Sequence, residues 1–429
     1  MKPVTRTLAE WLALQEQVHT RAIDLGLGRV GTVARTLGVD RPSYRVITVG
    51  GTNGKGSTVA TLEALLLAAG LRVGTLTSPH LLRYNERIHI EGREATDAEL
   101  VAVFDRIEVA RGDTTLTFFE YNTLAALLLF ADRKLDVAVL EVGLGGRLDA
   151  VNLVDADVGV VCSVGFDHRD WLGDTLDAIG TEKAGIFRGN HPAVLGTPQM
   201  PESVYGTIAR LGAQAVVAER DFSWHIGPDS WTYRGLGGEI TGIPAPRLAG
   251  AIQYRNAATA LAALESLLRV AGPALHAAPL TRDLIAAALA RVEVMGRFQI
   301  IPGRVEWILD VSHNEPAAQI LRDNLAARPV SGRTIAVCGI LQDKDAGEIA
   351  HVLASCADIW IACALPGPRG GSAAELAARL APRIHIAQLA DSVAAGCTLA
   401  HELARPGDRV LVFGSFSTVT AALEWLQIH

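Results

Sequence analysis

A short apolar strand that runs straight into a glycine-rich turn and then a helix constrains this chain more than any other feature. Arg45-Val46-Ile47-Thr48-Val49 reads as a buried strand, Gly50-Gly51-Thr52-Asn53-Gly54-Lys55-Gly56-Ser57 as the turn, and residues 57–69 as a helix stopped by Gly70. That order is a recipe for holding phosphate. Glycines let backbone N–H groups point inward, the helix start carries partial positive charge, and Lys55 can reach phosphate oxygens. Ser57 would offer its hydroxyl to Mg²⁺. The turn departs from the common phosphate-loop spacing: Gly56 separates the lysine from the hydroxyl residue, and Val49 stands where a first glycine is expected. A plain glycine turn in an α/β fold is the alternative.

Short β-branched runs alternate with Ala/Leu-rich segments from about residue 45 to residue 300. Residues 73–77, 136–142 and 158–164 read as further strands, and continuous apolar runs of this length imply parallel strands covered on both faces. Around residues 220–240 the text turns aromatic and glycine-rich, which predicts a small antiparallel hairpin. Helices are expected at 254–270 and 281–292. After Gly296-Arg297 the alternation restarts, with strands expected at 305–310, 334–340, 358–364 and 409–413. The expected architecture is α/β. A P-loop-type, mostly parallel sheet domain with a small antiparallel hairpin spans residues 1–298, and a doubly wound, Rossmann-like domain spans 299–429. Two domains also suit a chain of 429 residues.

A formal net charge of −7 and the lack of a basic run argue against nucleic acid as the main partner. The five cysteines form no CxxC pair and read as reduced, buried thiols. Residues 1–17 have an amphipathic helical pattern with internal charges, unlike a secretion signal, and the most apolar helical stretch, 123–131, is too short to span a bilayer. A cytoplasmic protein is expected.

Two groups could complete a nucleotide–metal site. Glu141 ends the strand at 136–142, and His168 follows the strand at 158–164; both fall at carboxyl ends of parallel strands, where open α/β sheets place ligands. Mg²⁺ needs few protein ligands beside phosphate and water, so a Ser, a Glu and a His suffice. Lys183, on a helix expected to begin near Asp174, reads on spacing alone as a solvated helix lysine.

Nine short motifs then fall into place together: GTNGKGS at 51–57, SPHL at 78–81, EVGLGGRLDAVN at 141–152, DHRDWLG at 167–173, EKAGIF at 182–187, GRFQ at 296–299, DVSHN at 310–314, GILQDKD at 339–345 and FGSFSTV at 413–419. In this order they resemble the folylpolyglutamate synthase/dihydrofolate synthase family, part of the wider Mur-ligase group, over nearly the whole chain. The resemblance implies that Thr52, Asn53, Gly54, Lys55, Gly56 and Ser57 hold the ATP phosphates. It implies nucleotide contacts at Asn256, Arg297 and Asp310. Mg²⁺ ligands at two sites are implied at Ser57, Ser78, Glu141 and His168, with Lys183 carried as a carbamate whose added carboxylate holds the second ion. His313 would lie near the glutamate and phosphate region; with Lys55 and Lys183 it completes the implied catalytic set.

Residues 24–30 look like the pterin loop of the bifunctional bacterial members, placing Asp24, Leu25, Gly26 and Leu27 against dihydropteroate. Thr117, Phe118, Phe119 and Glu120, and Leu148, Asp149 and Ala150, match the remaining contacts. Two positions depart from the family pattern. Glu315 stands where a proline usually follows His-Asn, with Pro316 after it, and Met295 stands where a proline commonly precedes Gly-Arg.

The implied reaction is ATP-dependent joining of L-glutamate to dihydropteroate and to reduced folates through an acyl phosphate, by a monomer. Three other readings stay open: a folylpolyglutamate synthase without the dihydropteroate activity, a peptidoglycan Mur ligase, and a P-loop switch or motor. The last predicts a lysine followed directly by Ser or Thr, which this loop lacks.

Overall fold

The computed structural model describes residues 6–428 except Ala22; Met1 to Thr5, at the start of the expected N-terminal helix, lie outside the described residues. Two compact units form, Met1–Arg247 with Tyr254–Val292, and Leu248–Gln253 with Glu293–His429.

In the first unit, strands β1 (Arg45–Gly50), β2 (Val73–Leu76), β3 (Ile88–Ile90), β4 (Arg93–Glu94), β5 (Val137–Glu141), β6 (Val158–Val161), β7 (Pro192–Leu195) and β8 (Gln214–Val217) form one sheet in the order β4-β3-β2-β5-β1-β6-β7-β8. The six strands from β2 to β8 in that order are parallel, and β3 and β4 add an antiparallel edge. Side-chain alternation explains the uninterrupted apolar text. Val46, Ala138 and Leu140 enter a core on one face, whereas Ile47, Val49, Val137 and Val139 enter a core on the other.

Helices Gly28–Leu37, Asp97–Arg111 and Phe118–Arg133 cover the first face; helices Lys55–Ala68, Ile252–Ala271 and Arg282–Leu289 cover the second. The expected hairpin is a three-stranded antiparallel sheet of β9 (Ser223–Ile226), β10 (Trp231–Gly235) and β11 (Gly238–Ile243). Trp231 and Tyr233 alternate inward from the middle strand, which is why a third strand is needed beside it.

The second unit carries β12 (Gln299–Ile301), β13 (Glu306–Asp310), β14 (Thr334–Cys338), β15 (Ile359–Cys363), β16 (Gln388–Ala390) and β17 (Arg409–Phe413), ordered β12-β13-β17-β14-β15-β16. All but the antiparallel edge strand β12 run parallel. Because β17 returns between β13 and β14, the connections wind both ways, as a doubly wound sheet requires. Among the described residues no helix is long and apolar enough to cross a membrane.

Candidate active site

The phosphate loop hangs between the carboxyl ends of β1 and β6. Gly51 lies at φ 138° and Gly54 at φ 93°, conformations that glycine reaches without Cβ strain. A Cβ on Gly51 would sit 3.1 Å from the backbone nitrogens of Cys162 and Ser163. The loop is then tied across: Thr52 N donates to Ser163 O at 2.8 Å, Thr52 Oγ1 donates to Gly165 O at 3.1 Å, and Asn53 N donates to Ser163 Oγ at 3.1 Å. Helix Lys55–Ala68 begins at once, capped by Gly54 with no side-chain cap, so its first N–H groups face the loop. Lys55 Nζ folds back onto Gly51 O at 3.1 Å and Thr52 O at 3.3 Å. Asn256 is buried, and its Oδ1 lies 2.9 Å from where a Cβ on Gly54 would be, so it touches the loop directly.

Substitution of Gly51 by Ala should therefore push the loop off the β6 backbone. We expect weaker ADP binding and a stability loss of about 1–3 kcal/mol, read by titration calorimetry and thermal melting. An Ala variant with unaltered ADP affinity would show that the close approach is dispensable.

Glu141 ends β5 in register with Val49 and is buried, and its Oε2 accepts from Ser78 N at 3.2 Å. These two expected metal ligands are thus brought together beside the loop-bearing strand. Ser57 is buried in the first turn of its helix. His168 takes a left-handed backbone at φ 52° and leaves its side chain 35% exposed, with Nε2 3.9 Å from Asp167 Oδ1. Among the described residues no three His, Cys, Asp or Glu side chains form a ready-made metal cage. The donor set is mostly hard oxygen, which suits Mg²⁺, an ion that completes its shell with phosphate and water.

Lys183 differs from its spacing-based reading. It sits near the end of helix Leu176–Ala184 and is 5% exposed rather than solvated. Burial, reinforced by the positive charge of Lys55 and opposed by Asp167, pushes its ammonium down to about 7. Asp167, not singled out from sequence, is therefore part of the same charge cluster; its place beside His168 in the DHRDWLG motif was the available signal.

The expected pterin residues also converge. Gly26 N donates to Leu148 O at 3.2 Å. Arg29 bonds Asp24 Oδ2 at 2.6 Å and approaches Glu120 Oε1 at 3.3 Å, a link that spacing could not reveal. Thr117 caps helix Phe118–Arg133 in a reciprocal box with Glu120. Phe119 packs on Gly143, where a Cβ would meet its ring at 2.9 Å. Asp149 is buried and pushed up to about 6, mainly by desolvation, although Leu144 N and Val151 N donate to it at 2.8 and 3.1 Å.

In the second unit Asp310 accepts from Phe298 N and Ser312 N, both at 2.8 Å. His313 Nδ1 lies 2.7 Å from Val311 O, which directs its other nitrogen away from the backbone. Asn314 caps helix Glu315–Ala326, and Pro316 stays in the first turn where its missing N–H costs nothing. The shift of that proline by one position is thereby accommodated.

A phosphate loop with Ser78 and Glu141 at the ends of neighbouring strands and a buried Lys183 on a nearby helix, followed by a doubly wound unit, defines an ATP-dependent ligase of the Mur type. Accordingly, the Mur ligase middle domain matches residues 49–198, and the Mur ligase, glutamate ligase domain matches residues 296–416. The dihydrofolate synthase/folylpolyglutamate synthase of Escherichia coli K12 is 45% identical over 418 residues, covering 97% of this chain and 95% of that protein. The structure of E. coli FolC in complex with DHPP and ADP superposes with TM-score 0.91 at 43% identity, over 98% of both chains. A bifunctional folylpolyglutamate synthase/dihydrofolate synthase with Mn, AMPPNP and L-glutamate bound gives TM-score 0.89 at 43% identity, over 99% of this chain and 98% of that one. The chain belongs to the dihydrofolate synthase/folylpolyglutamate synthase family of Mur ligases.

Proposed function

We propose that this ligase joins L-glutamate both to dihydropteroate, giving dihydrofolate, and to reduced folates, extending a γ-glutamyl chain. The observation that carries the reading is the continuity of the pterin residues with the phosphate loop. Asp149, one of the pterin residues, lies within electrostatic reach of Lys55 in the loop, and Glu141, at the head of the same segment, accepts from Ser78 N. A pteroate lying along Asp24 to Leu27, Thr117 to Glu120 and Leu148 to Ala150 would therefore extend its carboxylate toward the loop.

The residue roles follow. Gly54, Gly56 and Ser57 offer loop and helix N–H groups to the ATP phosphates, while Thr52 and Asn53, whose own N–H groups bond to Ser163, line the same site; Lys55 turns from its carbonyls to the terminal phosphate; Asn256, Arg297 and Asp310 serve the nucleotide. The substrate carboxylate attacks the γ-phosphoryl group, releasing ADP; the glutamate amine then attacks the acyl phosphate, and phosphate leaves as the amide forms. The protein aligns three substrates and does little covalent work. Mg²⁺, when bound, would be held by Ser57, Ser78, Glu141, His168 and Lys183 as its carbamate, and would supply charge neutralisation. A lysine whose ammonium form is disfavoured by burial is a suitable amine for capturing carbon dioxide. His313 would serve the glutamate and phosphate region. Residues 1–298 would thus carry the ATP and pterin work and residues 299–429 the ligase domain.

A monomer fits, since every proposed ligand comes from this one chain. ADP release with L-glutamate and either dihydropteroate or a tetrahydrofolate tests the reading. Turnover is expected with both; turnover with the tetrahydrofolate alone would reduce the activity to folylpolyglutamate synthesis, and turnover with neither would overturn it.

A further inference from the structure

The motif FGSFSTV carries no role in the reading above, yet its second aromatic residue lies between two that do. Phe416 opens helix Phe416–Trp425, directly after β17 and the Gly414-Ser415 turn. Its backbone is firmly placed. Gly414 lies at φ 118°, where a Cβ would come within 2.6 Å of Gly339 O. Ser415 Oγ accepts from Thr418 N at 3.1 Å, and Thr418 Oγ1 donates to Gly339 O at 2.7 Å.

From this fixed point the half-buried ring meets groups from two other segments. The guanidinium carbon of Arg297 lies 5.1 Å from the ring centroid. The His313 imidazole centroid lies 6.3 Å away, its plane tilted by 52°. Arg297 itself leaves a constrained turn. Gly296 and Phe298 both have positive φ, 67° and 45°, and Phe298 N is held by Asp310 Oδ2 at 2.8 Å. The turn sets where the arginine starts, and several rotatable bonds lie beyond Cβ. A guanidinium is attracted to the negative face of an aromatic ring, so Phe416 supplies a surface that selects one of those conformers.

The geometry points to Phe416 as the positioning residue that fixes Arg297 and His313 relative to one another. This rests on the assignment of Arg297 to the nucleotide and His313 to the glutamate and phosphate region. An arginine already laid against a ring loses less side-chain freedom when it takes up an anion, so the effect appears in nucleotide affinity.

The full-length chain would be made with Phe416→Leu, Phe416→Tyr, and singly, doubly and triply ring-fluorinated phenylalanine at position 416. Fluorination drains the ring's negative face stepwise while barely altering its shape. ADP affinity by calorimetry is expected to fall about two- to five-fold in the Leu variant, as for a partly exposed cation–π contact. It should hold in the Tyr variant and fall stepwise with each fluorine. The KM for L-glutamate should rise in the Leu variant, through His313. Leu equal to wild type, Tyr as weak as Leu, or no trend with fluorine would overturn the assignment to Arg297. An unchanged glutamate KM would overturn the His313 half. Because ADP binding requires no acyl acceptor, failure of the chain to ligate glutamate to a pteroate would sink the proposed reaction while leaving the ADP-binding test of Arg297 readable.

Discussion

Lys55→Ala should release no measurable ADP while melting at the wild-type temperature. In the resting loop the ammonium bonds to the Gly51 and Thr52 carbonyls and is partly exposed, so its loss leaves no buried charge stranded. In the reacting complex the same ammonium faces developing charge on the transferred phosphoryl group, where deleting one preorganised donor typically costs about 100- to 1,000-fold in rate. A second effect adds to the first. Lys55 is, after burial, the next largest influence holding Lys183 below the ordinary lysine range. Removing its charge would let Lys183 protonate more readily and so resist carbamate formation. Lys55→Arg keeps the charge but moves the donors, and should retain the Lys183 effect while losing most of the phosphate alignment. Turnover of Lys55→Ala at the wild-type rate would sink the assignment of the loop.

Much of this was legible in the sequence, for reasons that differ by element. The strands β1, β5, β6, β14 and β17 announce themselves as apolar runs because both faces of a parallel sheet are covered. The phosphate loop was legible because glycine is needed at Gly51 and Gly54, where backbone approaches backbone. The short strands β3, β4, β12 and β16 were not, since two or three residues carry no period. β7 and β8 are also brief, and β8 begins with the exposed Gln214. Glu141 and His168 could be nominated as candidates from their places at strand ends. Lys183 could not. Its burial comes from helix Leu176–Ala184 packing on the Gly145-Gly146 turn, a tertiary fact to which helical spacing is blind. The ties of Arg29 to Glu120, and of Phe416 to Arg297, are likewise long-range contacts that only the fold supplies.

Lys183 should prove harmful to stability and indispensable to turnover. Its amine is held at about 7 in the folded chain against 10.5 for the free side chain. Below pH 7 both folded and unfolded chains carry the proton, and the full cost of burying that charge is present. Between pH 7 and 10.5 the folded amine is increasingly neutral while the unfolded one is still charged, so the cost shrinks as pH rises; above 10.5 it is gone. In buffer freed of carbon dioxide, Lys183→Met should accordingly melt several degrees above wild type at pH 6, with the gap closing toward pH 10. A Met variant that melts lower at pH 6 would mean that the buried ammonium is well compensated. For activity, Lys183→Ala should lose about 100-fold or more in turnover, the scale on which metal-site support is felt, and regain part of it with formate or acetate. The small carboxylate would occupy the space the carbamate fills. Recovery with carboxylates but not with equal chloride would separate this from an ionic-strength effect, and a fully active Lys183→Ala enzyme would rule out the carbamate altogether.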